Sequence, residues 1–174
     1  FWTDLLGKKS FSEKLSILDN PLRVRGLASR YYDGEGIAAK PLVLIENGIV
    51  RNIYVDTYYG RKIDMQPTTG SPSNREIQLG RRGLDKIIAD AGSGVYVTSW
   101  LGGNANATTG DFSLGLRGHL IENGQIGLPV GEMNVTGNLK TLFQHIAEIG
   151  NDPWPYSSIR APTFVFEDVQ FSGA

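Results

Sequence analysis

Cysteine is absent from all 174 residues. There can be no disulfide framework and no thiolate metal site, which fits a cytoplasmic protein. Histidine is nearly absent: His119 and His145 are the only two, and they do not stand at the i, i+4 spacing that puts two imidazole ligands on one helix face. A metal centre built from this chain alone is therefore not expected. An excess of either charge is missing too. Seventeen Lys and Arg against 18 Asp and Glu leave a formal net charge of −1, so no field draws the chain to nucleic acid or to an anionic membrane, and direct DNA binding is disfavoured. No apolar run approaches the ~20 residues a bilayer crossing requires, and the N-terminus lacks the basic region and apolar stretch of a signal peptide. Nucleophile signatures are missing as well. None of Ser71, Ser73, Ser99 and Ser113 lies in a Gly-x-Ser-x-Gly elbow. Gly92-Ser93-Gly94 and Gly102-Gly103-Asn104 lead into no Lys-Ser/Thr pair, so they read as turns at strand ends rather than phosphate cradles. The pairs Asp33/Glu35 and Glu167-Asp168 would act as acid–base dyads only if burial raised a pKa; solvated loop positions explain them.

What remains is a chain 40% apolar with 22 glycines, long enough for one domain with its own core, since ~150 residues bury about 68–70% of their unfolded surface. Two stretches share the tip Leu-Ile-Glu-Asn-Gly, at 44–48 and 120–124. Asn-Gly between apolar runs predicts a hairpin, because both residues tolerate the positive φ of a type I′ turn. Strands are expected at 41–46 with 49–55, and at 112–121 with 125–136. The shared tip admits either an internal duplication or convergent turn chemistry. Further strands are expected at Lys14–Leu18, Glu76–Leu79, Val95–Leu101 and Thr163–Phe171, where β-branched and aromatic residues dominate. A helix over Leu84–Ala91 places Leu84, Ile87, Ile88 and Ala91 on one stripe and stops at Gly92. A second is expected from an Asn138 cap to Gly150, with Leu139, Leu142, Phe143 and Ile146 as its stripe. A short third is expected at Tyr58–Met65, weakened by Gly60. Many strands without regular strand–helix alternation predict an α+β fold, mainly antiparallel sheet with hairpins and two or three short helices. The opening Phe1–Leu6 has the apolar spacing of a helix interior, which suggests a truncated or processed chain.

From Gly94 onward, the order Gly94-Val95-Tyr96-Val97-Thr98, Thr109-Gly110-Asp111-Phe112-Ser113, Gly118, Ile121-Glu122-Asn123-Gly124, Pro129-Val130, Gly137-Asn138-Leu139 and Gly150-Asn151-Asp152 resembles the C-terminal domain of the TldD/PmbA family, also named modulators of DNA gyrase. The likeness extends upstream through Leu44–Gly48 and Gly70-Ser71-Pro72-Ser73-Asn74, so it covers nearly the whole chain. The resemblance implies a cytoplasmic zinc metallopeptidase system in which a catalytic TldD-type subunit pairs with a PmbA (TldE)-type subunit to cleave small or unfolded peptides. In the catalytic branch a His-Glu-x-x-x-His helix of the N-terminal domain holds the zinc, with a further ligand, commonly cysteine, from the C-terminal half. Neither feature occurs here. Asp111-Phe112-Ser113 and Gly137-Asn138-Leu139 look more like the PmbA branch, which lacks the zinc motif, whereas Gly131-Glu132 departs from it, since a His often precedes this Glu.

The resemblance thus implies a single β-rich C-terminal domain, residues 1–174, from a larger two-domain protein. It would hold no cofactor itself, with zinc in the parent assembly. It would form a homo- or hetero-dimer with a TldD/PmbA-family subunit and help enclose a chamber for peptide substrates, held there by added-strand pairing. Asn104, Asp111, Ser113, Arg117 and His119 are expected to line the chamber, clustered at one hairpin and the loop leading into it. No residue of this chain is expected to break a bond. Two alternatives stay open: the C-terminal domain of a catalytic TldD-like zinc peptidase with its ligands upstream, and a stand-alone β-rich binding module.

Overall fold

The computed structural model describes residues 3–173. Of the opening segment, Phe1 and Trp2 lie outside the described residues, and Thr3–Leu5 forms one 3-10 turn that buries Leu5. In chain order come β1 (Ile17–Asp19), β2 (Leu42–Glu46), β3 (Ile49–Val50), α1 (Thr57–Ile63), β4 (Arg75–Ile77) and α2 (Leu84–Asp90). There follow β5 (Ser93–Ala105), β6 (Asp111–Glu122), β7 (Gln125–Asn138), α3 (Leu139–Gln144), β8 (Ile146–Ile149), β9 (Ile159–Arg160), β10 (Phe164–Phe166) and β11 (Phe171–Ser172). The expected α+β class is met, with mainly antiparallel pairing. The chain divides into two compact units, one from its start to Leu79 with Pro153–Pro162, the other Gly80–Asp152 with the residues from Thr163 on.

The first unit holds a five-stranded sheet in the order β3-β2-β1-β4-β9, in which only β4–β9 is parallel. Leu15, Val50, Val55 and Ile45 are buried in it. Gly70-Ser71-Pro72-Ser73-Asn74 is a clasp. The Asp19 carboxylate accepts the Ser73 amide at 2.9 and 3.0 Å as well as the Ser73 hydroxyl. Asn74 donates to Asn20 O at 2.9 Å and accepts the Ala28 amide at 2.9 Å, while Arg30 donates to Pro72 O at 3.1 Å. Asp19, Ser73 and Asn74 are all buried, and buried polar groups must find such partners. Gly60 sits inside α1 because a Cβ there would come within 2.8 Å of Met65 O.

The second unit is a long four-stranded antiparallel sheet, β11-β7-β6-β5, with a two-stranded β8–β10 ribbon. Phe112, Leu116 and Val135 form its buried centre, with Val95, Val97, Leu114, Val130, Met133, Leu142 and Val169 packed around them. Both Asn-Gly tips fold as predicted: Asn47 and Gly48 have φ of 49° and 78°, Asn123 and Gly124 of 52° and 72°.

Several segments differ from expectation. The strand expected over 49–55 ends at Val50, and Gly102-Gly103-Asn104, read as a turn at a strand end, lies inside β5. The helix expected to reach Gly150 ends at Gln144, and Ile146–Ile149 is the strand β8 paired to β10. Ile146 and Ile149 are both buried, and their spacing of three suits one helix face as well as a short covered strand, so pairing with Phe164–Phe166 decides. Thr163–Phe171, expected as one strand, breaks into β10 and β11 around Asp168, whose φ of 54° no extended strand allows.

Candidate substrate-binding face

β6 runs through the middle of its sheet without an extra residue, so strict alternation assigns its faces. Phe112, Leu114 and Leu116 point into the core. Asp111, Ser113, Arg117 and His119 therefore share the opposite face, and Asn104 joins them as the register partner of Ser113. Leu101 and Asn134 lie on this face as well, since a Cβ on Gly115 would meet atoms of both at 3.4 Å. Four of the five residues named from sequence thus line one strand face, but they form two groups rather than one cluster. Ser113 and Arg117 are four positions apart, about 13 Å along a strand.

At one end, Asp111 is fully engaged. Asn138 Nδ2 donates to its Oδ1 at 2.9 Å and the Thr109 hydroxyl to its Oδ2 at 2.7 Å. These hydrogen bonds, Asn138 first, hold the Asp111 carboxyl below the usual carboxylate range. A carboxylate whose charged form is favoured by two hydrogen bonds suits loop closure rather than proton transfer. Asn138 also accepts the Lys140 amide at 3.0 Å, as its predicted cap role requires, so one side chain ties the 106–111 loop to α3.

At the other end the sheet opens around Arg117. On β5, Val97 pairs Gly118 and Ser99 pairs Arg117, leaving Thr98 as an extra residue. On β7, Val130 pairs Gly118 and Met133 pairs Leu116, so Gly131 and Glu132 both oppose Arg117. Arg117 is flanked by a bulge on each side, a device that re-aims side chains and recurs beside binding sites. Glu132 holds a φ of 49°, a left-handed conformation that disfavours every residue with a Cβ. A groove of about 370 Å³ results, lined by Thr98, Leu101, Arg117, His119, Pro129 and Glu132 among others. Thr98 Oγ1 donates to Arg117 O at 3.1 Å. His119 Nδ1 lies 3.3 Å from Gly127 O, within reach to donate to it. Among the described residues Arg117 enters no ion pair.

Sequence reasoning named Arg117 and His119 and did not name Thr98, Leu101 and Pro129, which line the same groove. The signal it lacked is the pair of bulges, since register is set by pairing and leaves no mark in composition. Gly131-Glu132, the one departure from the family pattern noted in the sequence, sits in the bulge. Among the described residues no three His, Cys, Asp or Glu side chains gather to hold a metal ion, so these residues do not fit a zinc site. His145 lies elsewhere, its Nδ1 3.8 Å from Asp168. Among the described residues no helix is long and apolar enough to cross a membrane.

Comparison with known proteins places this geometry. Residues 1–173 match the family profile described as the PmbA/TldA metallopeptidase C-terminal domain. Metalloprotease PmbA of Escherichia coli O157:H7 is 31% identical over 175 residues, covering 99% of this chain and 39% of that protein. Among solved structures, a Bacteroides thetaiotaomicron protein described as a candidate modulator of DNA gyrase superposes with a TM-score of 0.96 at 42% identity, covering 100% of this chain and 40% of its own. TldE from Thermococcus kodakarensis superposes with a TM-score of 0.86 at 25% identity, covering 97% of this chain and 42% of its own. The chain spans about two fifths of the length of these relatives.

Proposed function

The chain belongs to the PmbA/TldD metallopeptidase family, matching its C-terminal domain, and from that premise we propose that it serves as the non-catalytic half of a cytoplasmic peptidase assembly. In this reading residues 1–174 are one domain of a larger PmbA/TldE-like protein that dimerises with a TldD-type subunit, whose zinc does the chemistry. The domain contributes a wall of the chamber in which small or unfolded peptides lie. A single family profile spanning both compact units supports treating them together.

The observation that carries the reading is the open face of β6, where Arg117 and His119 sit in a groove between two bulges. Such a surface binds and orients. Beside it, β5 is the edge of its sheet. Over Ser93–Ala105 it carries no charged residue and no proline, two of the devices that block edge pairing, and its bulges at Thr98 and Leu101 leave the stretch Ser93–Val97 regular. An extended peptide can therefore add to it as a strand, its backbone giving affinity and the groove giving selectivity.

The test is a peptidase assay with metal analysis on the full-length protein, alone and mixed with a TldD-type subunit. Cleavage confined to the mixture, with zinc carried by the partner, is expected. Zinc and activity in the lone protein would instead favour the catalytic alternative with ligands upstream.

A further inference from the structure

We propose that the groove at Arg117 captures the free α-carboxylate of a peptide, so that this domain reads the C-terminal end of its substrate; this rests on the peptide-chamber reading above. Three features of the groove converge on that chemistry. Among the described residues Arg117 is the only Lys or Arg along its walls and has no acidic partner. A guanidinium left unpaired offers a planar fork that matches a carboxylate with two parallel hydrogen bonds. The doubled residues opposite it, Gly131–Glu132 on one side and Thr98–Ser99 on the other, widen the sheet where that fork lies.

The rest of the groove favours the end of a chain over an acidic side chain. Glu132 is its only acid, held on a strained backbone without pairing to Arg117. A terminal residue presents a carboxylate and an amide N–H together, a donor and acceptor pair that matches the Arg117 and Glu132 charges. Leu101, Pro129 and Val130 supply apolar wall for its side chain, and about 370 Å³ suits a small ligand. His119 adds a further polar side chain to the wall.

The experiment uses the full-length protein and one N-terminally labelled decapeptide in three forms: free acid, C-terminal amide, and amide with an internal Glu. Binding is read by fluorescence anisotropy. The free acid should bind about 10- to 100-fold more tightly than the amide, as expected for a charge-assisted pair. Arg117→Gln should bring the acid down to the level of the amide, and Arg117→Lys should restore only part of the preference. An unchanged melting temperature in both variants ties the effect to the groove. Equal binding of acid and amide by the unaltered protein, or a preference that survives Arg117→Gln, overturns the inference and leaves the chamber reading standing. An internal Glu that restores full affinity to the amide overturns the assignment to the chain end. Binding of none of the three, even with the TldD-type subunit present, removes the chamber reading and this inference with it.

Discussion

Glu132 is the position where the backbone itself predicts the outcome of a substitution. Its φ of 49° places it in the left-handed region, where Cβ crowds the following carbonyl at a cost of roughly 1–2 kcal/mol for an L-residue. Glutamate gains nothing in return from an ion pair among the described residues. Glu132→Gly removes the Cβ and its strain. It also gives the unfolded chain more freedom, which takes back about 0.4–1 kcal/mol. The net gain is about 0.5–1 kcal/mol, which in a domain of this size raises the melting temperature by roughly 1–4 °C. Glu132→Ala is the control, since alanine keeps the Cβ and loses only the carboxylate; it should melt within about a degree of the unaltered protein. Thermal melting of all three full-length proteins, followed by far-UV circular dichroism, reads the difference. The reasoning fails if Glu132→Gly is destabilising, or if Ala raises the melting temperature as much as Gly does.

Other positions give equally definite expectations. Leu116 is 0% exposed at the centre of the second unit, so Leu116→Ala should cost about 3–5 kcal/mol, whereas Leu101→Ala, half exposed in the groove, should cost under about 1 kcal/mol; denaturant melts compare them. Asn138→Ala removes the α3 cap and should cost about 1 kcal/mol. It should also let the Asp111 carboxyl rise toward its ordinary value, visible as a shifted midpoint in an NMR titration. Burial pushes the Asp33 carboxyl up, but hydrogen bonds from the amides of Ile37 and Glu35, the Thr69 hydroxyl and the Gly70 amide together outweigh it and leave it below the usual range. Because the folded value is the lower one, this stabilisation is present above the unfolded pKa near 3.9 and is lost as pH falls through the folded value. Asp33→Asn should therefore melt below the unaltered protein at pH 7, with the gap closing in more acidic solution; a gap that stays constant with pH would contradict it.

How far the sequence foretold the fold depends on whether the deciding interaction was local. The Asn47-Gly48 and Asn123-Gly124 tips were legible because positive φ is a demand on two adjacent residues, met by two residue types. The Asn138 cap was legible for the same reason, and α2 ends where Gly92, at φ 66°, was read as its stop. Ile146–Ile149 was not, because its identity as a strand depends on Phe164–Phe166, a segment distant in sequence whose pairing overrides a helical period. The clasp at Gly70–Asn74 was visible only as a familiar string; its partners Asp19, Ala28 and Arg30 lie 40 or more positions away.

The candidate binding face shows the same boundary at finer scale. Alternation along β6 is a local rule, and it put Asp111, Ser113, Arg117 and His119 on one side of one strand. What divides them is not local. Asn138 and Thr109 take up Asp111, while bulges on two other strands open the space at Arg117. No pattern within β6 announces either event.

The central claim is that this chain works through an assembly rather than through a reaction of its own. Gel filtration with in-line light scattering, on the full-length protein with and without a TldD-type subunit, tests it most directly. The account predicts a stable complex containing both chains. A full-length protein that elutes as a monomer and ignores the TldD-type subunit would contradict it.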